Sequence, residues 1–287
     1  MERTQPINRE YRLVRGPADV EIGLIYTYEQ DLISRLLPSL RDSVGNHSAR
    51  LILVDNAATD DVEAYARVFD RHHIVRNETR LPYGANLNRI LEASRSPYVL
   101  LLNTDMYFEP RAECVAKMVG FMRAHPDCGV AGCRILHADG AHAPSARRFQ
   151  TARTIAARRL GMGRWMPEAL AEYFYATRDM HAAWPCDWLS GCFLMVRREA
   201  VEQVGYFDPR FVKYFEDVDF CLRMTRAGWR VMYNGATYCY HLEQRASKRL
   251  LSQDAWLHAR SYLRWLRKWG FSPEIAPERE PSRRKAA

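Results

Sequence analysis

The chain has 287 residues, of which 47% are hydrophobic and 26% charged, a balance typical of a globular protein with one large domain or two small ones. Its net charge of +8 is uneven, since residues 245–287 carry eleven Lys and Arg against four Asp and Glu. The near-neutral remainder argues against a nucleic-acid-binding protein, which needs a basic face on its folded domain.

Membrane insertion and export are not indicated by the sequence. The apolar runs are too short to cross a bilayer, and the N-terminal residues 1–6 lack the apolar core of a signal peptide. We therefore expect a cytoplasmic location. The seven cysteines are odd in number and form no CxxC pair, so we expect buried free thiols.

Strands and helices alternate through the first half of the chain. Strands are predicted at 20–28, 51–55, 74–76 and 98–102, and helices at 31–41, 61–69 and 84–94, with a further helix opened by Pro110 and stopped by Pro126. The strands are continuously apolar, which is typical of a parallel sheet covered by helices on both faces.

The second half is less regular. Residues 141–185 are rich in Arg, Ala and aromatic residues and predict a long, partly helical insertion without a clear strand. Strands are then predicted at 188–196 and 229–233, helices at 217–227 and 252–269, and a disordered basic tail at 272–287.

Polar residues follow three of the predicted strands, at Tyr28-Glu29, Asp55-Asn56 and Asn103-Thr104-Asp105. Ligands of open parallel sheets bind beyond the carboxyl ends of the strands. This pattern favours a nucleoside contact at Asp55 and a pyrophosphate-bound cation at Asp105. The alternative is that each acid only caps a helix or opens a turn.

A second acidic cluster, Glu216, Asp217 and Asp219, opens a predicted amphipathic helix. Acids at a helix N-terminus are favoured by the helix dipole, so capping is one interpretation. Adjacent carboxylates raise each other's pKa, which favours an acid/base role as the other. His241 follows the strand-like residues 237–240 and is either a structural residue or a metal ligand.

Taken in order, these segments give the chain a specific resemblance. It resembles the inverting family-2 glycosyltransferases of the GT-A fold, especially bacterial rhamnosyltransferase-like members, over residues 20–265. The similarity is carried by Leu101-Leu102-Asn103-Thr104-Asp105, by Phe215-Glu216-Asp217-Val218-Asp219, and by residues 25–28, 53–60, 187–192, 197–200, 204–208 and 226–229.

The resemblance implies an α/β fold of the GT-A type, in which helices flank a Rossmann-like, mostly parallel central sheet. It divides the chain into an N-terminal extension (1–19), a catalytic domain (20–245) with the insertion at 141–185, a C-terminal amphipathic helix (246–271) and the tail.

Site roles also follow from the resemblance. Asp217 is the expected general base, with Glu216 beside it, and the metal, Mg²⁺ or Mn²⁺, is expected on Asp105 and His241. Trp188, Gly191 and Glu216 are expected on the acceptor side. The nucleotide-sugar contacts are expected at Thr27, Tyr28, Glu29, Asp55, Asn103, Thr104 and Asp105.

Three positions depart from the family pattern and affect the expected donor identity more than the reaction type. Glu29 stands where Asn is usual, Pro82 stands at an expected Gly, and Asn103 replaces the first acid of the Asp-x-Asp motif.

The expected function is therefore metal-dependent, inverting sugar transfer in bacterial surface polysaccharide synthesis. The expected donor is a dTDP- or UDP-linked sugar, with rhamnose favoured by the resemblance alone, and the acceptor is a saccharide or lipid-linked saccharide. A sugar-nucleotide nucleotidyltransferase and a non-catalytic nucleotide-sugar-binding module remain as alternatives. A dehydrogenase is disfavoured because no GxGxxG follows any strand.

The C-terminal helix has two interpretations. Its apolar stripe either packs on the catalytic domain, or the helix contacts an anionic membrane together with its arginines. The stripe consists of Trp256, Ala259, Tyr262, Leu263, Leu266 and Trp269.

Overall fold

The computed structural model of the chain describes residues 16–159, 162–242 and 253–271. The predicted tail lies outside these residues, as do most of the predicted N-terminal extension and the start of the predicted C-terminal segment. Within the described part, no helix combines the length and apolarity needed to span a bilayer.

The first half of the main sheet is parallel, as predicted. Its elements are the strands β1 (Val20–Tyr26), β2 (Ala49–Asp55), β3 (His72–Arg76) and β4 (Tyr98–Leu102), with helices α1 (Gln30–Ser43), α2 (Val62–Ala66) and α3 (Tyr83–Ala93) between them. The strands lie in the order β3-β2-β1-β4. All four strands agree with the predicted bounds to within two residues. β1, β2 and β4 are largely buried apolar runs, whereas β3, at the edge of the sheet, is only partly buried.

The second half extends this sheet and covers it. Its elements are β5 (Met106–Tyr107), α4 (Cys114–Ala124), β6 (Cys128–Leu136), β7 (His142–Ala143), β8 (Ala146–Arg147), α5 (Ala152–Arg159), α6 (Pro167–Tyr173), β9 (Ala183–Pro185), β10 (Trp188–Leu189), β11 (Phe193–Arg197), α7 (Arg198–Val204), α8 (Glu216–Arg226), β12 (Arg230–His241) and α9 (Gln253–Trp269).

The main sheet continues from β4 in the order β11-β6-β12-β5. β11 runs antiparallel to both β4 and β6, whereas β12 runs parallel to β6 and antiparallel to β5. The expected α/β class is therefore confirmed, with a mixed rather than purely parallel sheet.

Both faces of the sheet are buried. Alternate residues of β2 enter opposite core clusters, since Leu51 and Leu53 face one cluster and Ile52 and Val54 face the other. All seven cysteines are buried and free, as the sequence predicts. The strands are thus fixed on both sides, which makes their carboxyl ends a rigid platform.

Two predicted elements are corrected by the structure, and one strand was missed. The strand predicted at 188–196 is two strands, because β10 pairs with β8 in a small second sheet while β11 joins the main sheet. The helix predicted from Pro110 starts only at Cys114, because Glu113 has a left-handed backbone (φ 46°) that separates it from a short 3₁₀ turn. β6 was not predicted at all, although Cys128–Leu136 is mostly apolar.

Two further boundaries differ. The insertion at 141–185 does contain strands, since β7, β8 and β9 lie in it beside the helices α5 and α6. The last strand is longer than the predicted 229–233, because β12 continues past an irregularity after Asn234 and ends at His241. This extension carries His241 to the same part of the sheet as Asp105.

Candidate functional site

Three neighbouring strands end together beside the polar residues singled out by the sequence. Tyr26 of β1 lies opposite Asp55 of β2, and Leu24 of β1 lies opposite Leu102 of β4. The strands β1, β2 and β4 therefore end at the same edge of the sheet. Thr27 comes directly after β1, Asp55 is the last residue of β2, and Asn103 comes directly after β4. Their roles in binding a nucleotide sugar stay predictions.

Asp55 combines the two interpretations that the sequence left open. It is buried, and its Oδ1 accepts a hydrogen bond from the backbone N–H of Ala58 at 2.9 Å, which is turn chemistry. Its Oδ2 lies 3.7 Å from Nε of Arg76, whose side chain is exposed. One oxygen of the Asp55 carboxylate thus stabilises the turn after β2, and the other faces the exposed guanidinium of Arg76.

The loop after β1 offers an aromatic surface. Tyr28 is exposed with φ 134°, donates to the carbonyl of Ala57 at 3.3 Å, and has the Arg80 guanidinium 5.0 Å from its ring centre. Glu29 accepts a hydrogen bond from the N–H of Thr27 at 2.8 Å. The Glu29 side chain, which departs from the family pattern, therefore stabilises the loop in which it lies.

The departure at Pro82 is also accommodated locally. Pro82 caps α3 with φ −59°, the value that a proline ring imposes. The preceding loop is held by three buried asparagines, because the amide of Asn77 donates to Asn56 at 3.1 Å and to Asn86 at 2.7 Å, and the Leu81 backbone bonds to Asn56. Asn56 was named from the sequence beside Asp55, whereas no role was predicted for Asn77 or Asn86.

Asp105 and His241 meet where β4 and β12 end. Nε2 of His241 lies 3.1 Å from Oδ2 of Asp105, and the N–H of Leu242 donates to the Asp105 carbonyl at 2.8 Å. The antiparallel pairing of β5 with β12 produces this proximity, since Met106 lies opposite His241.

The residues at this point fit a divalent cation. Oδ1 of Asp105 is buried and has no hydrogen-bond partner among the described residues, so this oxygen is available to a ligand. Mg²⁺ and Mn²⁺ take one or two carboxylates plus phosphate oxygens, and the imidazole favours a transition ion such as Mn²⁺.

Glu216 and Asp217 form the N-terminus of α8. Oδ2 of Asp217 accepts a hydrogen bond from the N–H of Gly191 at 2.9 Å, and Oδ1 accepts one from Val218 at 2.9 Å. Burial raises the pKa of Asp217 above its ordinary value, and these two hydrogen bonds offset only part of that effect.

Glu216 has a different environment from its neighbour. It is 6% exposed, and its Oε2 has no hydrogen-bond partner among the described residues. Burial, followed by the charge of Asp217, raises the pKa of Glu216 to about 8. At neutral pH the negative charge of the pair therefore lies on Asp217, while Glu216 stays protonated.

Tyr83 links the two halves of the site and was missed by the sequence reasoning. Its hydroxyl lies 2.9 Å from Oδ1 of Asn103 and 3.2 Å from the carbonyl of Gly191, the residue whose N–H binds Asp217. Burial and nearby carboxylates, Glu216 first among them, raise the pKa of Tyr83, so it donates as a neutral phenol. No local signal marks this tyrosine in the sequence.

Trp188 is a buried side chain. It is 5% exposed, its indole N–H donates to the carbonyl of Arg148 at 2.8 Å, and the Arg147 guanidinium lies 4.9 Å from its ring centre. The acceptor-side role of Trp188 stays a prediction. Gly191, in contrast, lies directly against Asp217.

Comparison with curated proteins points to one enzyme family. An N-acetylglucosaminyl-diphospho-decaprenol L-rhamnosyltransferase of Mycobacterium tuberculosis is 28% identical over 195 residues, which cover 64% of this chain and 63% of that protein. The O-antigen biosynthesis protein RfbC of Myxococcus xanthus is 28% identical over 92% of this chain, and this chain spans only 21% of its length.

Comparison with solved structures confirms the GT-A fold. The mannosyltransferase PcManGT from Pyrobaculum calidifontis, in complex with GDP-Man and Mn²⁺, matches with a TM-score of 0.61 at 16% identity, covering 92% of this chain and 67% of that one. GalNAc-T7 with UDP, GalNAc and Mn²⁺ matches with a TM-score of 0.63 at 11% identity, covering 88% and 49%.

The family model described as glycosyl transferase family 2 matches residues 24–205, well over half of the chain. This match includes the three strand ends, the Asn103-Thr104-Asp105 segment and Gly191. The chain therefore belongs to glycosyl transferase family 2.

Proposed function

We propose that this protein transfers a sugar from a nucleoside-diphosphate sugar to an acceptor hydroxyl, with inversion at the anomeric carbon. One observation carries the proposal. The carboxylate of Asp217 is connected to the Asn103-Thr104-Asp105 segment through Gly191 and Tyr83, by hydrogen bonds of 2.9, 3.2 and 2.9 Å. A base and a cation-binding acid thus belong to one continuous polar site.

The chain's own residues would divide the work as follows. Tyr28 and Asp55 contact the nucleoside, and Asp105 with His241 holds the divalent ion. When bound, the ion supplies neutralisation of the charge that develops on the departing diphosphate. Asp217 accepts the proton of the acceptor hydroxyl as that hydroxyl attacks the anomeric carbon.

The neutral state of Glu216 supports this assignment of the base. Two ionised carboxylates at adjacent positions would compete for any proton released between them. Because the pKa of Glu216 is about 8, Glu216 is mostly protonated at neutral pH, and the negative charge of the pair is assigned to Asp217. Its two backbone hydrogen bonds hold that charge on a fixed carboxylate.

The substrates are proposed from the relatives. The name of the mycobacterial relative specifies L-rhamnose as the sugar and a diphospho-decaprenol as the acceptor carrier. We therefore propose a dTDP- or UDP-linked donor, with rhamnose as the first sugar to test, and a saccharide or lipid-linked saccharide acceptor for a surface polysaccharide.

Contact with an anionic membrane, from the cytoplasmic side, completes the proposal. One side of α9 packs inward with Ser261 and Trp265 buried, as the packing interpretation requires. Its other side exposes Trp256 (60%) and Leu263 (53%), and Phe271 just beyond the helix is 64% exposed. Apolar residues interleaved with arginines suit the interface of an anionic bilayer that carries the acceptor.

A nucleotide-sugar panel tests the function. With Mn²⁺ and a saccharide acceptor, wild-type protein should release nucleoside diphosphate from one donor in preference to the others. Asp217→Asn should bind that donor normally and lose about 10²–10⁴-fold in turnover, the usual contribution of a general base. Asp127→Asn is the matched control, because Asp127 is a half-exposed surface acid that pairs only weakly with Arg230.

The same assay separates the alternatives. Release of pyrophosphate from a nucleoside triphosphate and a sugar phosphate would indicate a nucleotidyltransferase. Donor binding without release of nucleoside diphosphate, for every acceptor and metal tested, would indicate a binding module and would contradict the proposal.

A further inference from the structure

The two residues before the pair Glu216 and Asp217 have an unusual backbone conformation. Tyr214 has φ 68° and Phe215 has φ 69°, so two consecutive side-chain-bearing residues occupy the left-handed region. This region is disfavoured for residues with a Cβ and persists only where the surroundings hold it. The direction in which α8 begins, and hence the position of Asp217, depends on that turn.

The surroundings that hold Phe215 come from α9. The Phe215 ring is buried, and its centre lies 5.2 Å from the ring of His258, 5.5 Å from Tyr262 and 6.0 Å from Trp265. These three residues are spaced four and three apart, so they form one face of the helix. The Tyr214 ring also contacts His258, at 5.1 Å.

Polar contacts from α9 fix the segment on the N-terminal side of the pair. Ser261 Oγ donates to the carbonyl of Lys213 at 2.7 Å, and the Arg264 guanidinium donates to the carbonyl of Arg210. This is the segment that leads into the left-handed turn.

Further polar contacts extend to both flanks of the pair. Lys268 Nζ lies 2.7 Å from Asp208 and 2.6 Å from Asp219, and the indole of Trp269 donates to Asp219 at 2.7 Å. These contacts of α9 fall on residues 208–219, and Glu216 and Asp217 lie between the anchored positions.

We propose that α9 is a positioning element for catalysis, in which His258, Tyr262 and Trp265 hold the left-handed turn at Tyr214–Phe215 and thereby aim Asp217 at the acceptor. This inference rests on the proposed function of Asp217 as the base. Loss of the ring contacts lets the turn relax toward ordinary negative φ, which moves Asp217 away from the Gly191 N–H. Donor contacts on β1, β2 and β4 are unaffected.

Tyr262 offers a test with a matched pair of variants at one position. Its hydroxyl is buried and has no hydrogen-bond partner among the described residues, so Tyr262→Phe keeps the ring contact and loses no bond. Tyr262→Ala removes the ring, and Tyr262→Leu removes it while keeping apolar volume should the alanine variant fail to fold. Leu263→Ala, at an exposed position of the same helix, controls for truncation in α9.

Two measurements on the full chain decide the proposal. Amide hydrogen exchange over residues 208–219 should accelerate in Tyr262→Ala or Tyr262→Leu and stay at the wild-type rate in Tyr262→Phe and Leu263→Ala. Turnover should fall by about tenfold or more in the ring-deleted variants only, with the donor KM within about twofold of wild type, because misplacement of a catalytic group lowers kcat.

A second-site change distinguishes positioning from general stability. Glycine adopts positive φ without strain, so Tyr214→Gly should restore part of the turnover lost in the ring-deleted background. Equal exchange rates in Tyr262→Phe and the ring-deleted variants would overturn the proposal, as would accelerated exchange with unchanged kcat. If Asp217→Asn keeps full turnover, the assignment of Asp217 as the base is wrong. The hydrogen-exchange rates of the Tyr262 variants would still show whether α9 holds residues 208–219 in place.

Discussion

Replacing Glu216 by Gln should make the folded protein less sensitive to alkaline pH. The pKa of the buried Glu216 carboxyl is about 8 in the folded protein, against an ordinary value of 4.5. Between these values the folded chain keeps a proton that the unfolded chain releases, so folding stability falls as pH rises. The bound proton of Glu216 makes its full contribution to the free energy of unfolding below pH 4.5. This contribution is lost progressively between pH 4.5 and pH 8, and it does not change further at higher pH.

The magnitude follows from the size of the pKa change. One pKa unit corresponds to about 1.4 kcal/mol, so raising the pH from 5.5 to 8 should remove about 3 kcal/mol from the free energy of unfolding through Glu216 alone. A glutamine has no proton to lose and resembles the neutral acid in shape. The difference in stability between Glu216→Gln and wild type should therefore shift by about 3 kcal/mol in favour of the variant over this range.

Urea unfolding of both proteins at pH 5.5, 7 and 8 measures this difference directly. The comparison between the two proteins cancels the titration of the groups that they share and that do not interact with residue 216. Unfolding free energies that fall in parallel with pH in wild type and variant would refute the reasoning. That result would mean that Glu216 is ionised without penalty, and the single charge assigned to Asp217 would be wrong.

Three further predictions concern the rest of the site and its surface. Tyr83→Phe removes the hydroxyl that donates to Asn103 and Gly191, and it should lower the free energy of unfolding in urea by about 1–3 kcal/mol. An unchanged value would mean that these hydrogen bonds are not formed. Asp105→Ala should abolish Mn²⁺ binding in the presence of nucleoside diphosphate, measured by calorimetry, and an unchanged affinity would exclude it as a ligand. Arg260→Gln with Arg267→Gln should weaken co-sedimentation with anionic vesicles by about 1 kcal/mol per charge, and equal binding to neutral vesicles would leave α9 only its packing role.

The sequence alone predicted the parallel half of the sheet and the acids at its edge. Strands β1, β2 and β4 are mostly apolar runs, short and bounded by turn residues, so their pattern is local and strong, whereas β3 is marked only by Ile74 and Val75. Because parallel strands end at a common edge, the placement of Asp55 and Asn103 at one edge of the sheet followed from the predicted parallel pairing. The resemblance added the family, which the match over residues 24–205 confirms.

The break at residues 190–192 shows where local patterns fail. The run from Trp188 to Val196 is apolar enough for one strand, but β10 leaves the main sheet to pair with β8. The break turns the N–H of Gly191 toward Asp217. Which of two sheets a short strand joins depends on packing partners and not on its own composition.

Only the tertiary structure decided which side chains complete the site. Tyr83 contacts Gly191 across 108 residues of sequence, and His241 meets Asp105 across 136. Likewise, an apolar stripe on α9 was visible in the sequence, but two of the three rings that contact the left-handed Phe215, those of His258 and Trp265, lie outside that stripe. Such contacts are set by how distant elements pack, and a residue's own neighbours in the chain carry no information about them. The sequence thus determined the parallel half of the sheet and the positions of the acids, whereas packing determined the protonation, the partners and the orientation of those acids.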